Sequence, residues 1–79
     1  MSHTPHELAE EFLDQVEKMH ELRQKDAHFA RLYDEYHAVN RAVYKAETLL
    51  EPTAPQHEAD LRQKRVLLKD QIRAVLDAA

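Results

Sequence analysis

The chain has no glycine and no cysteine among its 79 residues. Phosphate-cradling loops of the P-loop and dinucleotide-binding kinds need glycine where the backbone must approach the ligand, so both are excluded. Tight hairpin turns lean on Gly, Asn or Asp, and no strand-like alternation flanks any candidate turn. Without cysteine there is no disulfide framework, no thiolate nucleophile and no Cys-based zinc site, and the redox compartment stays open. Apolar runs are short, as at Leu49-Leu50 and Val75-Leu76, and nothing here spans a membrane. The stretch Met1-Ser2-His3-Thr4-Pro5-His6-Glu7 lacks the basic and then apolar run of a secretory signal. The expectation is a soluble, cytoplasmic protein with no membrane partner.

What the chain does have is charge, at 33% of residues, and an abundance of Glu, Lys, Arg, Leu and Ala. That composition belongs to long helices and coiled coils, and the length allows one small domain at most. The charge is unevenly placed. Residues 1–24 hold Glu7, Glu10, Glu11, Asp14, Glu17 and Glu21 against only Lys18 and Arg23, while from residue 25 onward nine bases balance nine acids. An acidic first segment argues against a nucleic-acid partner at that end.

The strongest periodic signal runs from Phe29 to Leu50. Phe29, Leu32, Tyr36, Val39, Val43, Ala46 and Leu50 step by three and four, which places them on one helix face as a coiled-coil seam. Leu61, Leu68 and Val75 repeat every seven residues with Ala54, and Ile72 joins them. Between the two sets lies Glu51-Pro52-Thr53-Ala54-Pro55. Pro52 disfavours helix at Glu51, Pro55 suits a first helical turn, and Thr53 with Gln56 offers a capping box. Helices over about 27–50 and 55–77, joined by a turn at 51–54, must be antiparallel neighbours. Facing residues then have numbers summing to roughly 104 to 108. Arg65 occupies a position on this face and is expected either to snorkel or to pair with Glu47.

An acidic N-terminal helix is expected within residues 1–25, from about Pro5 to Arg23. Thr4 would cap it, Pro5 would take the first position and Glu7 would complete the box. Its stripe is Leu8, Phe12, Val16 and Met19. Between Arg23 and Phe29 the apolar phase slips by about one residue. Asp26 can cap a new helix, but no Pro or Gly forces a break, so a kink and an unbroken helix are both allowed, with the slip favouring the kink. The fold class is therefore all-α: a coiled-coil-type antiparallel hairpin, residues 26–79, with an added N-terminal helix. A lone hairpin buries little surface. Leu49, Val66, Leu67, Ala74 and Leu76 lie off the seam, so self-association, a dimer first of all, or docking of the first helix there would complete the core.

Two blocks carry a family resemblance. The first is Phe29-Ala-Arg-Leu32-Tyr-Asp-Glu-Tyr36-His-Ala-Val39-Asn40-Arg-Ala-Val43, preceded by Lys25-Asp26. The second is Leu61-Arg62-Gln-Lys64-Arg65-Val-Leu67-Leu68-Lys69-Asp70-Gln71-Ile72. Over about Leu22 to Leu76 the chain resembles the YdcH-like family of small bacterial proteins. The resemblance implies a self-associating helical hairpin of no established activity. Ala27 stands where that family commonly has Pro, and the acidic segment up to about Gln15 extends beyond its usual pattern.

Candidate chemistry is sparse. Glu17-Lys-Met-His20 and Asp34-Glu-Tyr-His37 have the carboxylate-x-x-His spacing of di-metal bundles, which also need two further inward carboxylates. All four side chains are expected to point away from the core as a solvated face. Met1-Ser2-His3 could hold copper or nickel through the free amine, but removal of Met1 would destroy the spacing. His6, His28 and His57 sit near expected helix ends, close to backbone groups or solvent. Tyr36 is core by phase, Tyr33 flanks the seam and Tyr44 is expected to be exposed, leaving no aromatic platform for bases. No nucleophile, base and orienting group can be assembled, so neither an enzyme, a metal nor a cofactor is expected. Arg62, Arg65, Lys69 and Arg73 line one edge of the third helix, suggestive of phosphate contacts, although Glu58, Asp60, Asp70 and Asp77 interleave with them and Asp60 pairs favourably with Lys64. The leading expectation is a protein-interaction or assembly module, its partner a second copy or an unidentified protein. Its partner surface would be the acidic first helix or Leu49, Val66, Leu67 and Leu76 beside that basic edge. The second is a nucleic-acid-associated accessory protein using the edge itself.

Overall fold

A computed structural model describes residues 5–48 and 54–79. They form α1 (Leu8–Glu11), a single 3₁₀ turn (Leu13–Gln15), α2 (Val16–Lys25), α3 (Ala27–Glu47) and α4 (Pro55–Ala78). Among the described residues there is no strand, and the fold is all-α. The expected Thr4 cap, the Thr53 capping box, Leu49 and Leu50 lie outside the described residues.

α3 buries Phe29, Leu32, Tyr36, Val39, Asn40, Val43 and Ala46 on one face. α4 starts with Pro55 in its first turn and sets Leu68, Ile72 and Leu76 against that face, with Leu61 and Val75 half-buried beside them. Two cross-helix bonds fix the direction. Arg62 reaches Glu47 and Arg65 reaches Asn40, so numbers rise along α4 as they fall along α3. The hairpin is antiparallel, with sums within about one of the expected window.

The entry to α3 is local chemistry. Asp26 is extended (φ −119°, ψ 106°), and its Oδ1 accepts from the N–H groups of His28 (2.9 Å) and Phe29 (3.2 Å). This is an N-cap satisfying two of the donors every helix start leaves open. Its own N–H closes α2 by donating to the Leu22 carbonyl at 2.7 Å. The phase slip before Phe29 is therefore a complete break rather than a bend, and α2 folds back along α3, where Arg23 meets Asp34.

The single first helix expected from Pro5 to Arg23 is replaced by three pieces. Pro5 and His6 form a turn, with His6 in the left-handed region (φ 62°), a conformation that costs a non-glycine residue about 1 kcal/mol. Helix begins only after Glu7, whose N–H donates to Glu10 Oε1 (3.3 Å). A second break falls at Phe12 (φ −130°, ψ 58°). The two breaks serve burial. Leu8, Phe12 and Met19 are buried in the core shared with α3 and α4, while Val16, which a straight helix would keep in the stripe, turns out to solvent. Residues 5–25 thus form a strap seated on one side of the hairpin.

Candidate interaction surfaces

Two residues of α3 hold the strap by its backbone. Tyr36 Oη donates to the His6 carbonyl at 2.7 Å, and Asn40 Nδ2 donates to the Pro5 carbonyl at 2.9 Å. In a helix starting at Pro5 those carbonyls would accept from N–H groups one turn on. The two buried donors take them instead, which accounts for the left-handed His6. Asn40 then accepts from Arg65 Nη1 through its Oδ1 (3.0 Å), so a buried amide links strap, α3 and α4 with both ends satisfied. Burial pushes the Tyr36 phenol up to about 12, because the ionised form would be held out of water.

The basic edge of α4 faces partners inside the molecule. Lys69 Nζ lies 2.7 Å from Glu11 Oε1 and 6.0 Å from the centre of the Phe12 ring, and the Arg73 guanidinium sits 5.5 Å from the same ring. Arg62 pairs with Glu47 (3.0 Å) and with Glu58, and these acids raise its pKa further. Glu47 is therefore the partner of Arg62, not of Arg65. The difference follows from register: Arg65 is one turn farther along α4 and meets Asn40. Along the expected edge Arg62 and Arg73 are exposed, Arg65 is half-buried against Asn40, and Lys69 is half-buried against Glu11 of the strap.

Leu76 is corrected too. Expected on a partner surface, it is fully buried, and its carbonyl accepts from Lys18 Nζ at 2.7 Å. Leu68, Ile72 and Leu76 step by four, so the buried line of α4 drifts toward the strap as it runs to the C-terminal end. Val75 keeps only a half-buried place.

The carboxylate-x-x-His pairs are dispersed. Glu7 Oε2 lies 2.9 Å from His37 Nδ1, Asp34 pairs with Arg23, and His20 Nε2 is 3.2 Å from Gln24 Nε2. His37 is half-buried rather than outward, its ring packed at a tilt of 52° against Tyr33 with 4.7 Å between centroids. Tyr44 is likewise half-buried. Among the described residues no three His, Asp or Glu side chains gather in a way that would hold a metal ion, and no helix is long and apolar enough to cross a membrane.

Among the described residues the exposed large apolar side chains are Leu13 and Val16 on the strap and an adjacent pair on the outer side of α4. Val66 and Leu67 are each 55% exposed, about half a turn from the Leu68–Ile72 line. Their flanks are Gln63, Asp70 and Ala74, all exposed. Residues 29–76 match the model of a family described as "Protein of unknown function (DUF465)". The chain belongs to that family. The matched span contains α4 through Leu76, most of α3 and the Val66–Leu67 face, and it leaves out the strap. No curated protein and no solved structure matches the chain.

The Glu11–Lys69 pair gives the strap a pH dependence. The hydrogen bond from Lys69 holds the Glu11 carboxyl below its ordinary value, against the opposing effect of burial. Because the folded-state value is the lower one, the pair's stabilisation is complete above about pH 4.5 and is lost as pH falls through the folded value. The expected result is that acid loosens the strap before the hairpin. Protection factors, corrected for the intrinsic pH dependence of exchange, should fall first at the Glu11 and Phe12 amides, which donate to Glu7 and Leu8, as pH drops below 4.5, while Val43 stays protected. Lys69→Met should remove that pH dependence from the strap's protection factors.

Proposed function

We propose that this chain is a non-enzymatic interaction module that self-associates through the outer face of α4. The observation that carries the reading is Val66 and Leu67, two adjacent large apolar residues left half in water, although the other large apolar residues of α4 turn into the core. Such a pair, rimmed by Gln63 and Asp70, has the apolar centre and polar border of a protein interface. A second copy presenting the same face would satisfy it by two-fold symmetry. The finer likeness of the Lys64–Ile72 block to the YdcH-like family supports the same reading and suggests a small bacterial, cytoplasmic protein. A nucleic-acid role draws less support, since Arg62, Arg65 and Lys69 already have partners within the chain.

Sedimentation velocity at micromolar concentration tests the proposal. Wild type should sediment as a dimer, and Val66→Lys/Leu67→Lys as a monomer with unchanged helical circular dichroism. A wild-type chain that is a stably folded monomer at that concentration would overturn it. So would a charged variant that associates as before.

A further inference from the structure

The strap is joined to the hairpin through one non-helical residue, Asp26, and in the closed form it is held by contacts that a second copy could equally supply. Asp26 alone between α2 and α3 is non-helical. Nothing in Arg23-Gln24-Lys25-Asp26-Ala27-His28 forbids helix, as there is neither proline nor glycine in it. The closed form is held at this point by the Asp26 cap. If Asp26 turned helical, α2 and α3 would become one continuous rod. In the closed form α2 folds back along α3, placing Arg23 against Asp34. In the rod α2 would point away from its own hairpin, and α1 could not reach Lys69.

The groove left behind is specific. It offers a cation at Lys69, guanidinium at Arg73, donors at Tyr36 Oη and Asn40 Nδ2, and the apolar side of Ile72 and Leu76. Its complement is an acidic segment bearing an aromatic next to a carboxylate, which the strap provides at Glu11-Phe12. A second copy carries the same segment. A one-residue hinge between two helices, with neither proline nor glycine to forbid a continuous helix, is an arrangement that permits exchange of identical elements between copies.

We infer that residues 5–25 are exchangeable: hinged at Asp26, the strap of one copy occupies the α3–α4 groove of a second, remaking in trans the bonds it makes in cis. This surface is distinct from Val66 and Leu67, and the test is built to keep the two apart.

All chains carry Val66→Lys/Leu67→Lys, which removes the outer α4 face. One chain adds Glu11→Cys and the other Lys69→Cys, the parent having no cysteine. The two are mixed, unfolded, refolded and air-oxidised. A strap crossing between copies gives a covalent heterodimer in excess of either homodimer. Asp26→Ala, which deletes the cap and favours the rod, should raise that heterodimer at least about three-fold. Ala27→Pro should reduce it to background. Proline is accommodated at the first position of α3 and keeps Asp26 out of the helical region. Circular dichroism of each variant checks that the helices form. No rise with Asp26→Ala, or an undiminished heterodimer with Ala27→Pro, would overturn the inference and leave the outer-face reading untouched.

Discussion

Leu68→Ala should cost about 2–5 kcal/mol, while Leu67→Ala, one position away, should change stability by less than about 0.5 kcal/mol. Leu68 is 5% exposed and belongs to the core with Val39, Tyr36 and Ile72, so truncation removes buried methyl groups and leaves a cavity among helices that cannot close on it. Leu67 already has more than half its surface in water. A domain of this length has a total stability of only about 4–12 kcal/mol, so the first substitution removes a large share of it. Urea melts of both substitutions in a Val66→Lys chain, where the outer face is disabled, measure the difference by far-ultraviolet circular dichroism, and the same melts without Val66→Lys show what the outer face adds. Equal losses at the two positions would mean that α4 is rotated about its axis, and the placement of every α4 residue would fail with it. Concentration dependence at Leu67 alone would instead report the outer face at work.

Tyr36 separates packing from tethering. Tyr36→Ala should destabilise the fold by about 3–5 kcal/mol, because a fully buried ring is lost. Tyr36→Phe should cost about 0.5–1.5 kcal/mol, the net worth of one hydrogen bond, here to the His6 carbonyl. The Phe variant should lower the urea midpoint far less than the Ala variant does, while limited trypsin digestion at Lys18 becomes faster. A second measurement uses base. The phenol's folded-state value of about 12 stands above its ordinary value of 10. Its contribution is therefore complete below pH 10 and is lost as pH rises through 12. Ultraviolet titration should show one of the three tyrosines ionising late, and only two should remain to titrate in Tyr36→Phe.

The hairpin was readable because period and punctuation agree there. Phe29 through Ala46 leave no other face to bury, and Pro55 starts a helix without needing a side-chain cap. Asp26 was readable as a cap from its side chain, although whether the chain would break there depended on α2 finding α3 to lie along. The course of residues 5–19 was not readable. Leu8, Phe12, Val16 and Met19 satisfy a straight helix on periodicity alone, and what breaks it is tertiary: Tyr36 and Asn40 capture the carbonyls of Pro5 and His6, and Phe12 settles beneath Lys69 and Arg73. Leu76 was misplaced for a related reason. A strict seven-residue repeat selects Val75, whereas the groove shared with the strap selects the four-residue step to Leu76. Asn40 did leave a trace. It stands four residues after Tyr36 and three before Val43, on the edge of the seam, where an amide needs partners once buried. The partner surface carried the weakest signal, since the exposed face of a helix and a docking face have the same composition until a neighbour is placed on them.

The bonds from Lys18 to Leu76 and from Lys69 to Glu11 each join residues 58 positions apart. Contacts so distant along the chain close late in folding. On the ribosome the order of synthesis deepens the delay. Leu8, Phe12 and Met19 are made before α4 and have no seat until its last turns are complete. The strap is thus made ahead of the helices it rests on and settles after them.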